Sequence, residues 1–178
     1  MADLRQEILL LGLLKAMEER GSWCGETHVQ KCVYFLQEGL GVPLGFDFML
    51  YKHGPFSFEL REALGQMRDE LLIDIASRGP YGPSLVVTES GQGLLSLRQG
   101  IPDSHNDKAA FVAENLGPKT VVELERLGTA LYVTKQRPGA TPEQRASDLT
   151  HAKPHVRLED SRVAVGQVDA LLAQAPFR

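Results

Sequence analysis

The feature that most constrains this chain is the stretch Ile8–Leu14, where every residue except Gly12 is a large apolar one. It lies inside a predicted helix from Leu4 to about Glu19, with Asp3 as N-cap and Gln6 at capping-box spacing. A helix that is apolar on nearly every face is buried on more than one side. We therefore expect it to be the centre of a globular core, or to meet a partner with part of its surface. Seven residues are far fewer than the roughly 20 that cross a bilayer, so we expect no membrane association.

The order of the next elements predicts a winged helix. Apolar periodicity and turn residues indicate two helices, one extended piece, a turn and a β-hairpin. A glycine- and proline-rich tip joins the two hairpin strands. These segments are, in order, helix 27–40, extended 46–51, a turn at Gly54-Pro55, helix 57–70, strands 71–75 and 85–87, and a helix that Thr88 caps and that runs to about Arg98.

The second half of the chain is predicted to be helical. Ile101-Pro102-Asp103 breaks the chain, and four further helices follow at about 107–116, 120–134, 141–153 and 158–173. Thr141 and Gln144 have the spacing of a capping box, with Pro142 at the first helical position. The expected fold class is mostly α with a small β-hairpin wing (α+β), in which a winged-helix-like domain (1–100) carries a packed helical subdomain (101–178).

The charge pattern argues against nucleic acid as the main partner. The chain of 178 residues has 19 basic and 23 acidic side chains, a net charge of −4. The helix that would read DNA has two arginines, Arg61 and Arg68, against four carboxylates, and the wing tip adds only Arg78. Because phosphate contacts supply most of the affinity for DNA, this face is a poor partner for a duplex. A dimeric DNA-binding regulator remains the alternative, since the winged helix serves both roles.

No constellation of residues predicts catalysis, a cofactor or a metal. Cys24, His28 and Cys32 are four residues apart, but zinc needs converging ligands and no fourth ligand lies nearby in the sequence. We expect Cys32 in the core and His28 at the surface. The segment around Lys153 and His155 is expected to be a solvated loop. An enzyme is therefore only the third hypothesis.

The expected compartment follows from the cysteines and the first residues. Two thiols, and acidic rather than basic residues at the start (Asp3 and Glu7), are typical of a reduced cytoplasmic protein.

Three short motifs resemble a known bacterial family. They are a Gln-Lys-x-x-Tyr helix (Gln30, Lys31, Tyr34), a Tyr-x-x-Gly-Pro-aromatic-Ser segment (51–57) and a Lys-Pro-His segment (153–155). Together they resemble the YwgA-like proteins and the related Panacea, or SocA-type antitoxin, domain. That domain is associated with toxin neutralisation and with the delivery of partners to proteases.

The resemblance implies a non-enzymatic, cytoplasmic protein-interaction module, with a toxin or a protease as the expected kind of partner and a homodimer as a further possibility. The candidate partner-binding residues are Lys31, Tyr34, Tyr51, Gly54, Pro55, Lys153, Pro154 and His155.

The same motif residues also have structural interpretations. We expect Tyr34 and Phe35 to pack their helix on the hairpin, and Ser57 to cap the helix that follows the turn. Lys31 lies beside an apolar helix face, so we expect it to extend towards solvent or to meet a carboxylate or a helix C-terminus.

Overall fold

The structure is a computed structural model that describes residues 3–97 and 101–176. It is mostly helical with two small antiparallel hairpins, which confirms the α+β class. The helices are α1 (Leu4–Glu19), α2 (Glu26–Tyr34), α3 (Phe58–Asp69), α4 (Glu89–Ser96), α5 (Asp103–Leu116), α6 (Val121–Gln136), α7 (Pro142–Ala152) and α8 (Leu158–Gln174). The strands are β1 (Met49–Tyr51), β2 (Gly54–Phe56), β3 (Ile73–Ser77) and β4 (Pro83–Val87).

Helix α1 lies at the centre of the core, as its sequence predicts. Its apolar side chains from Ile8 to Leu14 and Met17 are buried. The helix packs against α2, α4, α5 and β4, so its apolar surface is covered from several sides. Within residues 3–97 and 101–176, no helix is both long and apolar enough to span a membrane.

The hairpin β1–β2 corrects the sequence-based interpretation of Gly54-Pro55. The turn lies at Lys52 and His53, and Gly54 and Pro55 form the start of β2, opposite Tyr51 and Leu50. The prediction of a turn at Gly54-Pro55 was therefore wrong by two residues. Proline is acceptable here because a two-stranded sheet consists of edge strands, where a missing N–H removes no essential ladder bond.

The second hairpin, β3–β4, is the predicted one, with Ile73 opposite Val87 and Ser77 opposite Pro83. A short 3₁₀ segment at Gly79–Tyr81 forms its tip. Strand β3 contacts α3, and β4 contacts α1. The specific winged-helix arrangement stays a prediction.

Two helices of the second half of the chain, α5 and α6, pack directly on the first half. Helix α5 packs on α1, and α6 packs on α2 and β2. The predicted end of a helix at Arg98 and the predicted domain boundary at residue 100 lie outside the described residues. The division into 1–100 and 101–178 stays a prediction.

Candidate functional site

A buried carboxylate on α6 brings together residues from three distant parts of the sequence. Glu125 is 8% exposed. Its Oε1 lies 3.5 Å from Lys153 Nζ and 3.2 Å from His155 Nε2, and its Oε2 lies 3.8 Å from His53 Nδ1. We call Lys31, His53, Glu125, Lys153 and His155 the lysine–glutamate cluster.

Lys153 fastens the β1–β2 hairpin to the second half of the chain. It is the C-cap residue of α7 and is buried. Its ammonium donates hydrogen bonds of 2.7 Å to the carbonyl oxygens of Tyr51 and Lys52, at the end of the hairpin. The expectation of a solvated loop was therefore wrong for Lys153, because these carbonyls and Glu125 together replace its water shell.

Lys31 is the most deeply buried member of the cluster, with 1% of its surface exposed. Burial lowers the pKa of its ammonium to about 8, and the negative charge of Glu125 opposes that decrease. Among the described residues, its Nζ makes no hydrogen bond. The expectation that Lys31 extends to solvent was wrong. Glu125 acts on Lys31 through its negative charge, but no carboxylate in the described part of the chain forms an ion pair with its Nζ.

Two glycines allow the hairpin to approach α2 and α6 this closely. Gly54 has a φ of +87°, and a Cβ there would lie 3.2 Å from the Glu125 carbonyl oxygen and 3.4 Å from Lys31 Cε. On α6, a Cβ at Gly128 would lie 3.0 Å from Pro55 Cδ and 3.5 Å from Lys31 Cδ. The inner face of the hairpin, with Pro55 buried, is thus packed directly on these helices.

The outer face of the hairpin presents aromatic rings to solvent. Alternation along the strands places Met49, Tyr51 and Phe56 on the side opposite Pro55. The ring of Tyr51 lies 5.7 Å from that of Phe56 and 5.6 Å from that of Phe58, between centroids, and Phe56 lies 5.1 Å from Phe58. We call Met49, Tyr51, Phe56 and Phe58 the aromatic patch. Met49 and Tyr51 are each 51% exposed and Phe58 is 47% exposed.

Arg61, one turn into α3, holds one edge of this patch. Its guanidinium lies 4.7 Å from the centre of the Phe56 ring, and its Nε donates a 2.6 Å hydrogen bond to Glu26. Both contacts limit the motion of the Arg61 side chain. This edge of the aromatic patch is therefore held in one position.

Most of the residues singled out by the three motifs lie at this site. Lys31, Lys153 and His155 belong to the cluster, Gly54 and Pro55 pack against it, and Tyr51 supplies a carbonyl oxygen inside and an aromatic ring outside. The other two lie elsewhere. Tyr34 is buried with its ring 5.0 Å from that of Phe48, next to β1, and Pro154 is exposed in the turn after α7. Their role in binding a partner stays a prediction.

Sequence reasoning missed Glu125, His53 and Gly128. The only signal for Glu125 is its position one turn before the small residues Gly128 and Thr129, which marks a helix face that another segment can approach closely. A turn predicted at Gly54-Pro55 gives no reason to single out His53, which lies just before it.

The cysteines and His28 form no common site. Cys32 is fully buried and burial raises the pKa of its thiol, as it does for Cys24. The expectation of a surface His28 was wrong, since the ring is buried and its Nε2 lies 3.0 Å from the Lys119 carbonyl oxygen. Within the described ranges, no group of three or more histidine, cysteine or carboxylate side chains is placed to hold a metal ion.

A scan against models of known protein families finds no match for this chain, and a search of curated proteins finds none either. The resemblance to the YwgA-like and Panacea families therefore stays a prediction from the three motifs.

Proposed function

We propose that this chain is a non-catalytic protein-interaction module whose docking face is the aromatic patch. The proposal rests on one observation: the β1–β2 hairpin is fixed to the rest of the protein by one face and exposes aromatic side chains on the other. Its inner face is fixed by Lys153 and by close packing on α6, and its outer face exposes Met49 and Tyr51 beside Phe58.

Such a surface is suited to binding a protein. Aromatic residues, methionine and arginine are enriched at the centres of interfaces, where they bury much area at little cost in side-chain entropy. A patch held in one geometry before binding loses less conformational freedom when a partner docks. The buried groups of the lysine–glutamate cluster hold the hairpin in position, because Lys153 donates hydrogen bonds to two backbone carbonyl oxygens at its end.

The charges beside the patch favour an acidic partner. Lys52 and His53 are exposed in the turn that follows Tyr51, and His155 is exposed next to Glu125. Arg61 is neutralised by Glu26. A second copy docked symmetrically on the same face would bring the two Lys52 ammonium groups towards each other, so charge complementarity favours a different protein with acidic and apolar side chains.

An antitoxin-like role is the form of this function that the motif resemblance supports. In that role the acidic partner is a toxin that the chain neutralises, or a protein that it delivers to a protease. Both roles require a stable docking face and no catalytic group on this chain.

The test compares two surface variants. The chain is immobilised, proteins are captured from a lysate of the source cells, and each captured protein is purified and its dissociation constant measured. We expect an acidic protein that binds the wild type and loses at least tenfold in affinity for the double variant Tyr51→Ser/Phe58→Ser.

The control is Val163→Ser, because Val163 on α8 is 59% exposed and lies outside the patch. Equal binding by the wild type and the double variant would overturn the proposal. A wild-type dimer in sedimentation that the double variant abolishes would instead assign the patch to self-association, and would also overturn it.

A further inference from the structure

A groove separates α3 from the β3–β4 hairpin. It encloses about 320 Å³ and is lined on the helix side by Leu64, Arg61 and Arg68, and on the hairpin side by Ile75, Pro83 and Leu85. This volume is at the lower end of the range for small-molecule sites, which are mostly apolar with a few polar groups that orient the ligand. The apolar residues supply such a lining, and the arginines supply the polar groups.

The two arginines of the groove differ in what they already bind. Arg61 is held by Glu26, which also lines the groove, and by the ring of Phe56. Arg68 is exposed, and among the described residues its guanidinium has neither an ion pair nor a hydrogen bond. Among the groove residues that the structure describes, Arg68 is therefore the uncommitted cation, and its planar N–H groups match a carboxylate in a two-point hydrogen bond.

We propose that this groove binds a small amphipathic carboxylate, a molecule with one carboxylate group and an apolar body of about eight carbons. The carboxylate pairs with Arg68, and the apolar body lies between Leu64 and the hairpin residues Ile75 and Leu85. The inference is independent of the proposed docking face, since neither Arg68 nor the hairpin residues of the groove belong to the aromatic patch.

The positive charge of Arg68 favours this ligand class. An amine would meet Arg68 with like charge and would find Glu26 already paired with Arg61. An alcohol with the same chain would retain the apolar contacts and lose the charged pair. A charge-assisted hydrogen bond contributes more than a neutral one, so the carboxylate should bind most tightly.

The experiment is a titration of the ¹⁵N-labelled chain with octanoate, 1-octanol and octylamine, followed by amide chemical shifts. We expect saturable shifts from octanoate that concentrate at the amides of residues 64–68, 75, 84 and 85. We expect octanoate to bind at least tenfold more tightly than the other two. Equal affinity for octanoate and octanol, or octanoate shifts centred elsewhere, would overturn the assignment.

Two variants and a matched control complete the test. Arg68→Gln should weaken octanoate binding at least tenfold and leave octanol binding unchanged, whereas Arg78→Gln, near the hairpin tip and outside the groove, should change neither. Ile75→Glu replaces a 43% exposed side chain, so the fold should persist while the new carboxylate repels octanoate. Unchanged octanoate affinity in either groove variant would contradict the proposal.

Discussion

At the scale of single residues, Gly54 is constrained both by its backbone conformation and by its packing. Its φ of +87° disfavours any side chain, and a Cβ would contact the Glu125 carbonyl oxygen, Lys31 Cε and Thr129 Oγ1. The expected cost of Gly54→Val is about 1–2 kcal/mol from the backbone and about 1–3 kcal/mol from overpacking. Urea unfolding measures the sum.

Gly139 provides the matched control for this substitution. Its φ is +82°, but none of the described residues has an atom within 4 Å of the position that a Cβ would occupy there. Gly139→Val should therefore cost only the backbone part, about 1–2 kcal/mol. Equal destabilisation by the two variants would contradict the close packing of the hairpin on α6.

The buried ammonium of Lys31 predicts a specific dependence of stability on pH. Its pKa is about 8 in the folded chain and near the usual 10.5 when unfolded. Between these values the unfolded chain binds the proton that the folded chain has released, so this residue makes stability rise with pH, by up to about 1.4 kcal/mol per pH unit. Below pH 8 both states are protonated and the contribution is constant.

The comparison that isolates Lys31 is wild type against Lys31→Met, a side chain of similar length without the charge. Across urea melts at pH 7, 8, 9 and 10, the wild type should gain stability relative to the variant above about pH 8. A difference that stays flat through this window would contradict the burial of a charged Lys31.

At the scale of elements, the features that depend on neighbouring residues were predicted more reliably than those that depend on contacts between distant segments. The N-caps Asp3, Ser57, Thr88 and Thr141 were predicted and are confirmed, because a cap depends on residues within one turn of the helix. The predicted capping-box role of Gln6 was wrong. Its amide donates to the Leu44 carbonyl oxygen, a contact that only the tertiary fold creates.

The same distinction explains the errors around the site. The helix predicted to reach Leu40 is α-helical only to Tyr34 and continues as a π-helical turn at Phe35–Gly39. Strands β1 and β2 have three residues each, too few for an alternating pattern, and the Gly54-Pro55 pair is more typical of a turn than of a strand. The sequence therefore predicted where the extended segment lies, but not that Gly54 and Pro55 pair with it as a second strand.

At the scale of the whole molecule, the candidate site exists only because α6 brings Glu125 under the hairpin. The motifs marked Lys31 and Lys153 as residues of interest. Lys31 is also unusual as a lysine beside apolar positions, whereas Lys153 was marked by the resemblance of its Lys-Pro-His segment. Nothing local connects either lysine to Glu125, because their meeting depends on how α2, α6 and the end of α7 pack. This is why Lys31, Lys153 and His155 could be singled out from the sequence, whereas Glu125, His53 and the arrangement of the cluster could not.

The most direct test of the account measures amide hydrogen exchange in Lys153→Met, with Lys52→Met as the control at an exposed neighbour. We expect roughly 10- to 100-fold faster exchange at the protected amides among residues 49–51, 54 and 56, the factor expected from losing charged hydrogen bonds of about 1.5–3 kcal/mol. Amides of α8 should keep their wild-type rates, and Lys52→Met should resemble the wild type. Unchanged protection of the hairpin in Lys153→Met, or an equal acceleration in α8, would contradict the claim that Lys153 specifically holds the hairpin and its aromatic face in place.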